Sequence, residues 1–378
     1  MFFTENVIVF YVLTYYTLLM YIYENIDWPN FTFDYSAISE LDSLILRKKE
    51  YLDGMLSILS NKKETVAEAL IAELKASWQI EGINLSDADI YSSIAKRLDI
   101  PSPDTNTKVY YDGIADILLD AVQNHEKLTI DRILSWHKKV VENNPGIKRG
   151  EFRSSPIYVV SGQFKNREII YEAPAANHIS KIVDGFFDFV NSATYSEPIL
   201  AAIASYYFVA IHPFEDGNGR ISRIIGDYIL NKDSNSIPAV YISTEIKKHQ
   251  KEYYEILKTT SLGSMDITKW ITWLLQQLLN AYEEAINKIQ KSFKVKEIFI
   301  EAERLKLNAR QMRLLERVLS DDWQGNITAN KYAKINKCHP DTANRDLKKL
   351  EQYGFIQKGF GGSKNTNYSF NLNFLEDL

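Results

Sequence analysis

The chain has 378 residues, a formal net charge of −5 and a single cysteine, Cys338. That length suggests two or three domains of ~150 residues each, with ample chain for a core. One cysteine excludes an internal disulfide framework and suits a reducing cytoplasm, the expected location, and no Cys/His cluster suggests zinc. Val7 to Tyr23 is an aromatic-rich, nearly uncharged run. It is short for a membrane span and lacks a basic flank, since no Lys or Arg precedes Arg47. The preferred reading starts the natural protein at Met20, which makes residues 1–19 a doubtful extension and leaves a membrane outside the expected partners. A true anchor is the alternative.

From Ser36, apolar residues recur at three and four (Leu41, Leu44, Ile45, Leu52, Leu56, Leu59) and predict a helix. Ser60-Asn61 breaks it, and a second helix follows over about Glu64 to Gln79. That one ends in Ser77-Trp78-Gln79-Ile80-Glu81-Gly82, with glycine as the stop signal. Helical patterns cover Asp89 to Leu98, Tyr110 to Asn124 and Thr129 to Val141. Gly150-Glu151-Phe152-Arg153 precedes a β-branched run, Ile157 to Ser161, which Gly162 to Asn166 turns back into Glu168 to Tyr171. Ala176 to Val190 predicts another helix.

The next helix, Glu197 to Ile211, is apolar and carries proline just inside its start, where a missing N–H costs little. It runs into His212-Pro213-Phe214-Glu215-Asp216-Gly217-Asn218-Gly219-Arg220-Ile221-Ser222-Arg223. His212 precedes a proline and is therefore expected outside helical geometry. Helical patterning resumes from Arg220, so the motif is a loop whose glycines open a second helix. Free N–H groups at such a start make an anion site, and glycine lets the backbone approach the anion. Asn218 adds an amide, and Arg220 and Arg223, three apart, share roughly one side of the helix and suit a polyphosphate. Asp216 is a hard oxygen ligand for Mg²⁺ on phosphates, and His212 is the natural general base. Each feature alone is an ordinary turn or surface residue. Together they read as in-line attack on a nucleoside triphosphate.

H-P-F-x-D-G-N-G-R-x-x-R resembles the signature of the Fic family of nucleotidyl transferases at every defining position. The resemblance implies AMP transfer from ATP to a Ser, Thr or Tyr hydroxyl of a target protein. It assigns His212 as base, Phe214 as core anchor and Asp216 as Mg²⁺ holder. Gly217, Asn218 and Gly219 would meet the α-phosphate, and Arg220 and Arg223 the β- and γ-phosphates. The related Doc kinases carry lysine at the position of Gly219, so glycine favours AMP transfer. Ser77, Glu81 and Gly82 resemble the family's inhibitory S-x-x-x-E-G motif, which implies that Glu81 pairs with Arg223; a plain helix end is the other reading. Asp27-Trp28-Pro29-Asn30-Phe31 resembles the N-terminal segment of some bacterial members. The hairpin falls where the family places its target-docking flap, here Ile169, Ile170 and Tyr171, though an ordinary surface hairpin has the same pattern.

The stretch Ser243 to Leu257 contains Tyr253-Tyr254, and Ile267 to Gln290 predicts a long amphipathic helix, with Lys288 to Lys306 as a helical connector. Aromatics at this spacing suit a core; the family resemblance makes Tyr254 a candidate adenine contact. Helical runs over Arg310 to Ser320, Ala329 to Ile335 and Pro340 to Tyr353, then strand, turn and strand from Phe355 to Phe370, predict a winged helix-turn-helix. T-A-x-R-D-L (Thr342 to Leu347) resembles the recognition helix of such regulators. From Lys294 onward 15 basic residues oppose 11 acidic ones, which is compatible with phosphate contacts on DNA. Protein contact or a homodimer would use the same module.

The expected fold is mainly α, a Fic helical core with a small hairpin flap, divided as 1–19, 20–104 (inhibitory segment), 105–290 (catalytic core) and 291–378 (connector and winged helix). The expected function is self-inhibited AMP transfer to a target protein and to itself. Alternatives are a DNA-binding regulator that senses nucleotide, and removal of AMP from the same target with Glu81 orienting water.

Overall fold

Capping side chains set where the helices begin. Asp34 accepts from the Ser36 amide, Ser86 from Asp89, Thr129 from Arg132 and Asn308 from Gln311, each satisfying an amide that the helix leaves unpaired. The structure, a computed structural model, describes residues 20–101, 108–161, 168–234, 236–320, 323–359, 366–371 and 374. The run upstream of Met20 and the hairpin turn over 162–167 lie outside the described residues. Among the described residues no helix is long and apolar enough to cross a membrane. The chain divides into two compact units, one up to Ala285 and one from Ile286.

In the first unit α1 (Tyr35–Ile58), α2 (Lys62–Ile80), α3 (Asp87–Leu98), α4 (Val109–Gln123) and α5 (Ile130–Val140) precede a hairpin. Its strands are β1 (Tyr158–Ser161) and β2 (Glu168–Glu172). Then come α6 (Ile179–Ser192), α7 (Glu197–Ile211), α8 (Asn218–Asn231), α9 (Ser243–Lys248) and α10 (Gln250–Ser261). The centre is the α7–α8 pair. α7 is buried along all but two of its residues, and α8 along all but Gly219. α7 is apolar nearly all round and must be enclosed, while α8 also buries Arg220, Arg223 and Asp227; α6 covers α7, and α4 and α5 cover α8. The pair approaches closely at Gly226, where a Cβ would lie 3.0 Å from Ser205 Oγ. There Ser222 Oγ donates to Ser205 O at 2.9 Å.

α2 is tied into this core from the side. Glu73, 2% exposed, accepts from the amide and hydroxyl of Ser243 and so caps α9 from a different segment. The stretch from Ser243 to Leu257 falls on two helices, α9 and α10, separated at His249. The Ile267–Gln290 helix and the connector expected after it are instead one continuous helix, α11 (Thr268–Arg304), because no glycine or proline interrupts the sequence.

The second unit contains α12 (Ala309–Leu319), β3 (Ile327–Thr328), α13 (Ala329–Asn336), α14 (Pro340–Gln352), β4 (Ile356–Lys358) and β5 (Asn367–Phe370). The three strands pair antiparallel in the order β3-β5-β4; β3 is an addition to the two strands read from the sequence. Asp346 on α14 gathers Tyr332 OH, Arg310 Nε and Asn308 Nδ2, which locks the three helices together.

Candidate active site

The loop between α7 and α8 is held by its own side chains. Phe214 is fully buried, and Asn218 closes the loop on it: Oδ1 accepts from Phe214 N and Nδ2 donates to Phe214 O, both at 2.9 Å. The Asn218 amide is therefore not free for an α-phosphate as the sequence suggested. What it offers an anion is its backbone N–H. His137 on α5 stacks on Phe214 with ring centroids 3.8 Å apart. Gly150 N donates to His137 Nδ1, so the ring proton sits on Nε2, which donates to Asp216 O at 3.1 Å. Gly217 enters α8 at φ +85°, and a Cβ there would press on the methyls of Val140 and Val141.

His212 ends α7 outside its right-handed helical geometry, in the left-handed conformation (φ 49°, ψ 58°). Its Nδ1 lies 3.2 Å from Val209 O, an obligate acceptor, so Nδ1 carries the proton and Nε2 keeps its lone pair. Burial, with the nearby Arg153 charge second among the lowering causes, pushes the imidazole down to about 4. At neutral pH it is an unprotonated ring able to accept a proton.

The charged groups arrange around the start of α8, which has no side-chain cap. Asp216 Oδ1 accepts from Gly217 N and from Arg220, and Oδ2 accepts only a long 3.3 Å bond from Asn144. Although burial opposes it, the Arg220 charge and these hydrogen bonds hold the carboxyl below its ordinary range. The side chain stays 39% exposed. No group of three His, Cys, Asp or Glu converges among the described residues. A single ionised, accessible carboxylate fits Mg²⁺, which takes most of its ligands from phosphates and water.

The two arginines diverge. Arg220, 2% exposed, donates to Val140 O and Asp216 and lies over the Trp78 ring, so it braces the loop instead of sharing a phosphate-facing side with Arg223. Arg223, equally buried, donates from Nε to Ser77 Oγ and from NH2 to Ser77 O and to Glu81 Oε1, the last at 2.8 Å. The same Glu81 oxygen lies 2.3 Å from where a Cβ on Gly219 would stand. Glu81 thus covers the first turn of α8. Gly82, at φ +76°, ends the helix that delivers it.

Residues 127–230 match the family model described as Fic/DOC family. Residues 127–230 belong to the Fic/DOC family. Residues 21–100 match a domain of unknown function, DUF4172. The chain is 28% identical over 251 residues to the protein adenylyltransferase Fic of Aedes aegypti, covering 64% of this chain and 48% of that protein. It is 33% identical over 146 residues to the protein adenylyltransferase fic-1 of Caenorhabditis elegans, covering 38% and 26%. The chain thus spans about half, or less, of the curated relatives it matches. A Fic family protein of Desulfovibrio desulfuricans superposes with a TM-score of 0.55 at 17% identity, over 91% of this chain and 98% of that one. A Fic domain containing signaling protein of Bacteroides thetaiotaomicron gives 0.50 at 19%, over 66% and 97%.

Within these matched residues the hairpin differs from its sequence reading in one respect. Val159 pairs with Tyr171 and Val160 with Ile169, so Ile170 is an extra residue, a bulge. The bulge puts Ile169 and Tyr171 on opposite faces. Ile169 is 54% exposed beside Tyr158 and Val160, whereas Tyr171 is buried and donates to Ala210 O. Tyr171 is therefore a hairpin anchor and cannot meet a docked target. Tyr254 also has a partner the sequence did not show: its hydroxyl donates to Ile80 O at the end of α2, although the ring remains exposed. Lys247 and Gln250 donate to Gln79 O and Ile80 O beside it. His137 and Arg153 were missed as functional residues. Their neighbours in sequence, Lys138-Lys139 beside His137 and Glu151 and Ser154-Ser155 around Arg153, are themselves polar and gave no signal.

An NMR titration of the His212 imidazole is expected to show no inflection near pH 6.5. A depressed pKa means that the unfolded chain binds this proton first, so His212 subtracts stability as pH falls below about 6.5 towards 4. An inflection at the ordinary value would show a solvated ring. Gly219→Ala should expel Glu81, because the clashing oxygen sits on a flexible side chain. Urea unfolding of Gly219→Ala, Glu81→Gly and the double variant should give a coupling of about 1–3 kcal/mol. Additive effects would place Glu81 elsewhere.

Proposed function

We propose that the protein transfers AMP from ATP to a Ser, Thr or Tyr hydroxyl of a target protein and of itself, and that it rests inhibited by Glu81. The observation that carries the reading is the His212 Nε2 lone pair in the same short loop as the uncapped N-terminus of α8. The acceptor hydroxyl loses its proton to Nε2 as its oxygen bonds the α-phosphorus. The bond from that phosphorus to the bridging oxygen breaks, and pyrophosphate departs with the electron pair. The α8 amides receive charge on the α-phosphate, and Arg223 receives the terminal phosphates once Glu81 leaves. Asp216 would hold Mg²⁺, which neutralises phosphate charge when bound. The exposed apolar face of Tyr158, Val160 and Ile169 is where an extended target segment would dock. The reverse use of the site, hydrolysis of the AMP–target bond with Glu81 orienting water, predicts label that is lost with time.

A second reading concerns the C-terminal unit. Asn344, Arg345 and Lys348 are exposed on α14, a polar and basic surface suited to duplex DNA.

With labelled ATP, Glu81→Gly should raise self-labelling about tenfold or more, because Arg223 is freed to orient the terminal phosphate. Adding His212→Ala should cut that labelling roughly 10²-fold without unfolding the protein. Equal labelling by wild type and Glu81→Gly would remove the inhibitory role and leave the transfer chemistry standing. For the second reading, anisotropy with mixed duplex DNA should show affinity falling steeply with salt, and Lys348→Ala should reduce the log–log slope by about one. No binding at low salt would leave protein contact as the role of that face.

A further inference from the structure

Arg153 lies in the connection between α5 and β1 and is 2% exposed. Its Nε donates to His212 O at 2.7 Å, NH1 to Ser155 O at 3.1 Å and NH2 to Pro174 O at 2.5 Å. Its own amide donates to Pro213 O at 2.9 Å. Ser155 leads into β1 and Pro174 follows β2, so one guanidinium joins both ends of the hairpin to the residue that carries the imidazole. Its only polar partners are backbone carbonyls, with no carboxylate ion pair among the described residues. The nearby phenols of Tyr171 and Tyr23, both pushed up by burial, are neutral at neutral pH and supply no counter-charge. Burying a cation without a counter-charge is expensive, and a structural brace alone would be served by a neutral amide.

We propose that Arg153 is a positioning residue for the transfer reaction: it fixes the His212 backbone in its left-handed turn and sets the distance between the base and the segment docked on the hairpin. The inference rests on the proposed AMP transfer. Its physical content is twofold. A non-glycine residue at positive φ is held only when its surroundings determine it, and the carbonyl of that residue is the one Arg153 grips. The rigid fork of three donor groups also fixes angles between three segments, which the single ammonium of lysine cannot do. The Arg153 charge beside His212 further favours the neutral ring.

The test compares Arg153→Gln and Arg153→Lys, each in the Glu81→Gly background. ATP affinity is expected to stay within about threefold of the parent, since no donor of Arg153 faces the start of α8. The rate of labelling at saturating ATP should fall roughly 10²-fold, the cost of misplacing a base by about an ångström. The His212 imidazole pKa should rise in Arg153→Gln and stay depressed in Arg153→Lys, a readout that a purely structural role would not separate. Should Arg153→Gln fail to fold, Arg153→Lys still decides: slow labelling with a depressed imidazole pKa supports the assignment, and parental labelling overturns it. Parental labelling by Arg153→Gln also overturns it. If the Glu81→Gly parent itself transfers no AMP, the proposed function falls and the positioning role with it.

Discussion

The arrangement of this site follows from one constraint, the need of the buried Arg223 guanidinium for an anion. It cannot shed its proton at any ordinary pH, and it is enclosed by α2, α8 and α10. Ser77 and Glu81 meet that need, and both come from the end of α2. Everything that orders α2 therefore acts on the site. Glu73, buried on the same helix and pushed up to about 7 by burial, fastens the middle of α2 to the start of α9. Asp227, one turn beyond Arg223, is also buried and held well above the ordinary carboxylate range, and the carboxylate that pairs with Arg223 is Glu81. On the proposed function, an incoming polyphosphate carries charge of the same sign as Glu81 and must displace it.

The loop from His212 to Gly217 depends on a second layer of contacts. Asn218 and Phe214 exchange hydrogen bonds, His137 stacks on Phe214, and Arg220 reaches back to the end of α5. Several side chains with phosphate-binding chemistry are thus spent on holding the backbone. What is left for a ligand is the exposed side of Asp216, the imidazole and, beneath Glu81, the peptide edge of α8. Such a division suits catalysis by placement, in which the groups that act are few and those that position them are many.

Much of this was legible in the sequence. The helix–loop–helix around His212 follows from an apolar run, a proline and two glycines. The Glu81–Arg223 contact also followed from a short motif read beside another. Less legible were features that depend on distant partners. Arg220 and Asn218 looked available because spacing on a helix says which side they leave from, not where their tips end. The bulge at Ile170 has no mark in its sequence, yet it turns Tyr171 inward. His137 and Arg153 act through carbonyls up to 79 residues away, and no local pattern encodes such a reach. The fusion of the connector into α11 was missed for the opposite reason: an absence of breakers is easily passed over.

The grip on the end of α2 has a consequence for adaptability. Lys247, Gln250 and Tyr254 hold the carbonyls of Gln79 and Ile80, and none of the three lies in the His212–Arg223 loop. On the proposed self-inhibited reading, the threshold at which a nucleotide displaces Glu81 is the difference between two free energies, and the Lys247 and Gln250 bonds contribute to one side only. Substitution at either of them moves that threshold while the chemistry of the loop stays as it is. A lineage could retune how readily such a protein awakens by drifting at a helix end, one hydrogen bond at a time.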